Sequence, residues 1–162
     1  MVYIQVVFIC NLRPKICSIN VQLKLKFGIT YHSGFGHTEV QAKHVQKGAA
    51  SVSGVECDLF KTDELREDIQ KLNDYKAIIF GSPTYMGSVF ADFKAFMDAS
   101  SKLWFNQGWK DKIAAGFTNS HSLSGDKLNT LVQMAIFAML PLNDLGRIRS
   151  NESFTRRRSW QA

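Results

Sequence analysis

Ser33, Gly34, Phe35, Gly36, His37 and Thr38 are the residues of this chain best suited to hold an anion. They follow a short alternating apolar run, residues 25–30, which reads as a strand. They precede residues 39–47, which read as a helix. A strand, a loop of small and hydroxylic residues, then a helix start brings backbone N–H groups together where the helix dipole favours negative charge. The loop holds no Lys or Arg, so its donors are amides and hydroxyls, which suits a monophosphate. The Walker loop requires Gly-Lys-Ser or Gly-Lys-Thr, and neither triplet occurs. The dinucleotide fingerprint requires a third glycine where this chain has Glu39. An ordinary βα turn that binds nothing is the alternative for this loop taken alone.

Two further segments repeat the pattern. Residues 74–80 form a continuous apolar run of the kind a buried parallel strand uses. They lead into Gly81, Ser82, Pro83, Thr84, Tyr85, Met86, Gly87 and Ser88. Pro83 stiffens that turn, Gly81 and Gly87 are expected to let the backbone approach a flat ligand, and Tyr85 and Met86 offer an aromatic face and a thioether. Helically spaced apolar residues follow at 89–97. Residues 112–117 then read as a strand, with Thr118, Asn119, Ser120, Ser124, Gly125 and Asp126 in the next polar loop and an apolar-faced helix from Asp126 to Leu140. Three βα loops thus share one sheet edge, the carboxyl edge at which open α/β sheets bind ligands.

These ordered blocks resemble the flavodoxin-like NAD(P)H:quinone oxidoreductases of the WrbA type and the related NADPH-dependent FMN reductases. The similarity runs from about Phe27 to about Met139 and includes residues 81–88, 93–98, 103–105, 109–112, 117–120 and 124–127. The resemblance implies a three-layer αβα sandwich with a parallel sheet whose first four strands lie in the order 2-1-3-4. It implies FMN as cofactor and NAD(P)H as hydride donor to a quinone or similar small acceptor. Ser33 to Thr38 would hold the phosphate. Pro83, Thr84, Tyr85, Met86, Gly87 and Ser88 would line the ring, and Thr118, Asn119, Ser120, Ser124, Gly125 and Asp126 would close the other side. Trp104 would either cap the pocket, its own or that of a neighbouring subunit, or sit in the core. A homodimer or homotetramer of the family type is implied too. Hydride transfer to a flavin needs no protein acid, so His37 and His121 receive no catalytic role; His32 and His44 read as surface or core residues, and no metal site is expected.

Length and composition fit this reading. A chain of 162 residues, 45% hydrophobic and 21% charged, suits one globular domain. No apolar run approaches the roughly 20 residues a membrane-spanning helix needs. The apolar N-terminus lacks a basic leader region and a cleavage site, so a cytoplasmic location is expected. Cys10, Cys17 and Cys57 form no C-x-x-C pair, which argues against a disulfide framework or a zinc site. The net charge of +6 comes from the ends, since residues 1–26 carry +4, residues 141–162 carry +3 and the body carries −1. Arg156, Arg157 and Arg158 therefore read as part of a solvated, disordered tail, and no specific nucleic-acid partner is expected.

The ends also depart from the family pattern. Residues 1–24 form an atypical basic extension before a domain of residues 25–140, and residues 141–162 offer no apolar or β-branched run for a fifth strand. We expect a truncated or frame-shifted gene product whose fourth strand is left with an open edge. Two functions of other classes stay open beside the oxidoreductase. One is a flavodoxin-type electron carrier, against which the near-neutral body argues. The other is a non-catalytic fragment that retains no flavin.

Overall fold

The computed structural model describes residues 3–9, 24–123 and 125–142. Its elements run β1 (Tyr3–Ile9), β2 (Leu25–Tyr31), α1 (His37–Ala50), β3 (Val55–Lys61), α2 (Thr62–Glu67), a 3-10 turn (Ile69–Asp74), β4 (Ala77–Tyr85), β5 (Ser88–Val89), α3 (Ala91–Ala99), α4 (Ser101–Phe105), β6 (Ile113–Ser120) and α5 (Lys127–Leu142). The main sheet has the order β1-β6-β4-β2-β3. Its parallel part, β3-β2-β4-β6, is the order that the resemblance implies.

Burial follows from alternation along the central strands. Ile78 and Phe80 face a core built with Leu65, Leu72, Phe93, Phe96, Trp109, Met134 and Phe137. Ile29, Tyr31 and Phe117 face the other side, where Ala42 and Val45 of α1 cover them. Each face of a parallel sheet must be covered, and the two clusters meet that requirement with α1 on one side and α2, α3 and α5 on the other.

Several local expectations are corrected. The helical segment after β3 breaks after Glu67 and resumes as a 3-10 turn, where a single helix over about 63–73 is what the residue pattern suggests. Thr62 and Asp63 are residue types that favour an N-cap, but the N-cap is Lys61 and Thr62 is already helical. Pro141 does not end α5, which runs to Leu142.

The larger correction concerns the edge of the sheet. Among the described residues no fifth parallel strand follows β6. Its place is taken by β1, which pairs antiparallel with β6 from Tyr3 opposite Ser120 to Ile9 opposite Ala114. The edge expected to lie open is therefore covered, by a segment from the N-terminal extension. Strand character at Tyr3–Ile9 is legible in the sequence, but a partner across the whole domain is not.

Gly81 has a different reason from the one expected. A Cβ built on it would lie 2.3 Å from the Phe117 ring, so the glycine makes room for a core aromatic on the neighbouring strand and not for a ligand. Gly81→Ala is expected to cost about 1–3 kcal/mol through overpacking of a core with no slack. Urea titration checks this, and a smaller loss in Gly81→Ala combined with Phe117→Leu would identify Phe117 as the cause.

Candidate functional site

The three loops meet in one cleft of about 450 Å³ at the carboxyl edge of the parallel strands. Ser33, Gly34, Phe35, His37 and Thr38 form one wall, Pro83, Thr84, Tyr85 and Met86 the second, and Asn119, Ser120, His121, Ser122 and Asp126 the third. Twelve of the expected site residues are thus brought together. His121 and Ser122 join them without having been assigned. The signal for both was their place in the same polar loop.

The first wall is the opening of α1. Gly36 is its N-cap at φ 86°, a left-handed conformation that favours glycine. The Ser33 hydroxyl accepts a hydrogen bond from Glu39 N at 3.1 Å. The Thr38 hydroxyl accepts one from Asn119 Nδ2 at 3.0 Å, and the same amide group reaches Gln41 Oε1 at 2.7 Å. Each hydroxyl therefore uses a lone pair on the protein and keeps its own O–H proton for an anion. Gln41 Nε2, a buried donor beside this loop, has no hydrogen-bond partner among the described residues.

The second wall is a hairpin and not the open loop that the sequence suggests. Thr84 pairs with Val89 and Tyr85 with Ser88, leaving Met86 at φ 49° and Gly87 at φ 73° as a two-residue turn. Positive φ at both central positions is the geometry that follows the twist of the flanking strands. It projects Met86 fully into solvent at the cleft rim. Asn129 Nδ2 donates to Gly87 O at 2.8 Å, while Ser88 Oγ donates to Gln133 Oε1 at 3.0 Å. Gly87 and Ser88 thus stand behind the wall and fasten it to α5.

The third wall is organised by a buried cation. Lys127 Nζ donates to Ser120 Oγ at 2.9 Å, Ser122 O at 2.7 Å and Asp126 Oδ1 at 3.0 Å. Partial burial pushes the Asp126 carboxyl up, but hydrogen bonds from Lys127 and Ser120, with the ammonium charge, outweigh it and hold the carboxyl below its ordinary range. The Lys127–Asp126 pair accordingly holds at neutral pH and is lost as acid protonates Asp126, while the Lys127 bonds to Ser120 and Ser122 remain.

Thr118 is buried beneath the cleft, where its hydroxyl meets that of Thr84 at 2.7 Å, and Thr84 donates to Thr130 at 2.8 Å. Thr118 thus supports the floor and does not line it. Gly36 and Gly125 supply positive-φ backbone without lining the cleft. Ser124 lies outside the described residues. Trp104, on α4, is partly exposed and absent from the cleft of its own chain, so it is not the core tryptophan; among the described residues the buried tryptophan is Trp109. Cys57 sits on the edge strand β3, and burial pushes its thiol up to about 11, against a reactive role.

Comparison with known proteins agrees with this architecture. The family model for NADPH-dependent FMN reductases matches residues 34–151. Flavodoxin FldP of Pseudomonas aeruginosa (strain UCBPP-PA14) is 45% identical over 111 residues, covering 68% of this chain and 59% of that protein. The chain thus spans well under two thirds of that relative's length. Among solved structures, a WrbA-like flavodoxin from Agrobacterium tumefaciens superposes with a TM-score of 0.66 at 42% identity, covering 76% of this chain and 80% of its own. A flavodoxin from the domain Archaea shares the fold at 21% identity and a TM-score of 0.58, covering 74% and 76%. Residues matched over most of the chain, on a sheet of this order with helices on both faces, place it in one family: the chain belongs to the NADPH-dependent FMN reductases and has a flavodoxin-like α/β fold.

Proposed function

We propose that the cleft binds FMN phosphate-first at Ser33 to Thr38 and that the protein passes electrons from NAD(P)H to a quinone or similar small acceptor. The observation that carries this reading is the pair of hydroxyls on Ser33 and Thr38, each already accepting from the protein and each left with a proton to donate. The residues present fit the group. A neutral, donor-rich helix opening suits a phosphate monoester, the cleft volume falls in the range of small-molecule sites, and Tyr85, Met86 and Phe35 offer apolar surface to a flat ring.

When bound, FMN supplies the hydride-accepting and electron-donating chemistry, and the protein supplies binding and orientation. Tyr85 is held edge-on between Phe35 and Phe90, at ring separations of 6.4 and 5.1 Å. That contact chain fixes one wall. Lys127 fixes the opposite wall through Ser120 and Asp126. Neither His37 nor His121 is asked to move a proton. Among the described residues no helix is long and apolar enough to cross a membrane.

An absorption spectrum of the purified full-length protein tests the flavin, and steady-state NADPH oxidation with benzoquinone tests the turnover. Flavin bands with acceptor-dependent NADPH oxidation are the expected result. Flavin bands without NADPH oxidation would instead favour an electron carrier, the reading suggested by the name of the P. aeruginosa relative. A colourless protein that takes up no added FMN would overturn the proposal.

A further inference from the structure

Behind the phosphate-type loop lies a second group of side chains that the cleft does not use. His32, Asp63 and Asp92 each present one nitrogen or oxygen so that the three atoms lie within 4.8 Å of one another. They come from three successive strand ends: His32 directly follows β2, Asp63 opens α2 after β3, and Asp92 opens α3 after the β4–β5 hairpin.

The imidazole is the informative member. Its side chain is only 10% exposed, and its Nε2 is buried with no hydrogen-bond partner among the described residues. Nδ1 faces Asp92 Oδ2 at 3.7 Å, beyond hydrogen-bond length. The ring cannot readily turn away, because it stacks on Phe90 with centroids 4.3 Å apart and planes 10° from parallel. The ring is thus held with Nδ1 turned toward the Asp92 carboxylate at a separation too long for a hydrogen bond, while the buried Nε2 lies on the Gly34 side.

One ion at Nδ1 would bridge the unbonded gap to Asp92 and draw in Asp63, whose ligand atom lies within 4.8 Å of the other two. We propose that His32, Asp63 and Asp92 form a binding site for a divalent transition-metal ion of the zinc type. Bonds of about 2.0–2.2 Å to nitrogen and oxygen place neighbouring ligand atoms roughly 3–4 Å apart. The 3.7 Å His32–Asp92 separation already lies in that range, and Asp63 closes the remainder by a side-chain adjustment of about an ångström. One imidazole with two carboxylates suits such an ion better than magnesium or calcium, which prefer oxygen alone. Asp63 is exposed and Asp92 half-exposed, so an ion reaches the site from solvent and keeps water on its open positions. The site would clamp three loops of the carboxyl edge and, through Phe90, the base of Tyr85. It does not rest on flavin binding, and its test needs none.

Titration of the full-length protein with Co²⁺, followed by difference absorption, is the test. The expected result is one equivalent bound with ligand-field bands and no thiolate charge-transfer band. Asp63→Asn and Asp92→Asn should each weaken binding by about tenfold or more, while His44→Ala should leave it unchanged. Saturating Zn²⁺ should raise the melting temperature of the parent protein and not that of the double variant. Asp63 is exposed, so its substitution tests the site even if His32→Gln fails to fold. Absence of saturable binding, or a cobalt signal that survives in both aspartate variants, would overturn the proposal.

Discussion

Replacing Ser33 and Thr38 together with alanine is expected to weaken FMN binding about a hundredfold or more while changing riboflavin binding only a few-fold. Each hydroxyl would donate to a charged phosphate oxygen, an interaction worth about 1.5–3 kcal/mol, so losing two removes roughly 3 kcal/mol or more. Riboflavin lacks the phosphate and reports only the collateral damage. Some damage is expected, since Ser33 also caps Glu39 N and Thr38 also receives Asn119. Thr38→Ser retains the hydroxyl and should recover most of its share. Fluorescence titration with both ligands decides the matter, and equal losses for FMN and riboflavin would remove the phosphate assignment.

Deleting residues 1–9 should have the largest effect on stability. Seven residue pairs join β1 to β6, and at a net 0.5–1.5 kcal/mol per hydrogen bond their loss removes about several kcal/mol. That is a large share of the roughly 5–15 kcal/mol that stabilises a domain. The variant would also present the bare edge of β6, a template for edge-to-edge association. Hydrogen exchange should show the loss in every second amide of Ala114 to Asn119, those that point away from β4, while Ile78 to Phe80 keep their protection in the sheet centre. Size-exclusion chromatography should show association. Unchanged exchange across β6 would mean that β1 contributes little in solution.

The parallel core was legible because its signals are local. Apolar runs at β2, β4 and β6, each closed by glycine, serine or threonine and followed by helical spacing, give strand, loop and helix from neighbouring residues alone. Twelve cleft-lining residues were readable for the same reason: they sit where strands end. What escaped was whatever depends on distant partners. The role of Gly81 is set by Phe117 on another strand, and the burial of Lys127 by the loop it gathers. The hairpin at Met86 and Gly87 escaped because methionine at positive φ carries no turn signature. Nor does any sequence pattern announce that Tyr3–Ile9 will close the far edge.

That closure has a kinetic side. Contacts within the parallel core join residues such as Leu25 and Val55, Ala77 and Ile113, or Phe27 and Ala77, whereas Tyr3 must find Ser120 near the other end of the described chain. Such non-local pairing raises the contact order and delays the step that depends on it. During synthesis β1 leaves the ribosome well before the strand that it pairs with, so its pairing must wait for a later segment to emerge. Until β6 appears, a nascent β1 is an unsatisfied strand in search of an edge. The segment that seals the finished sheet therefore stays unpaired until its partner strand has been made, a transient edge of the kind that chaperones shield.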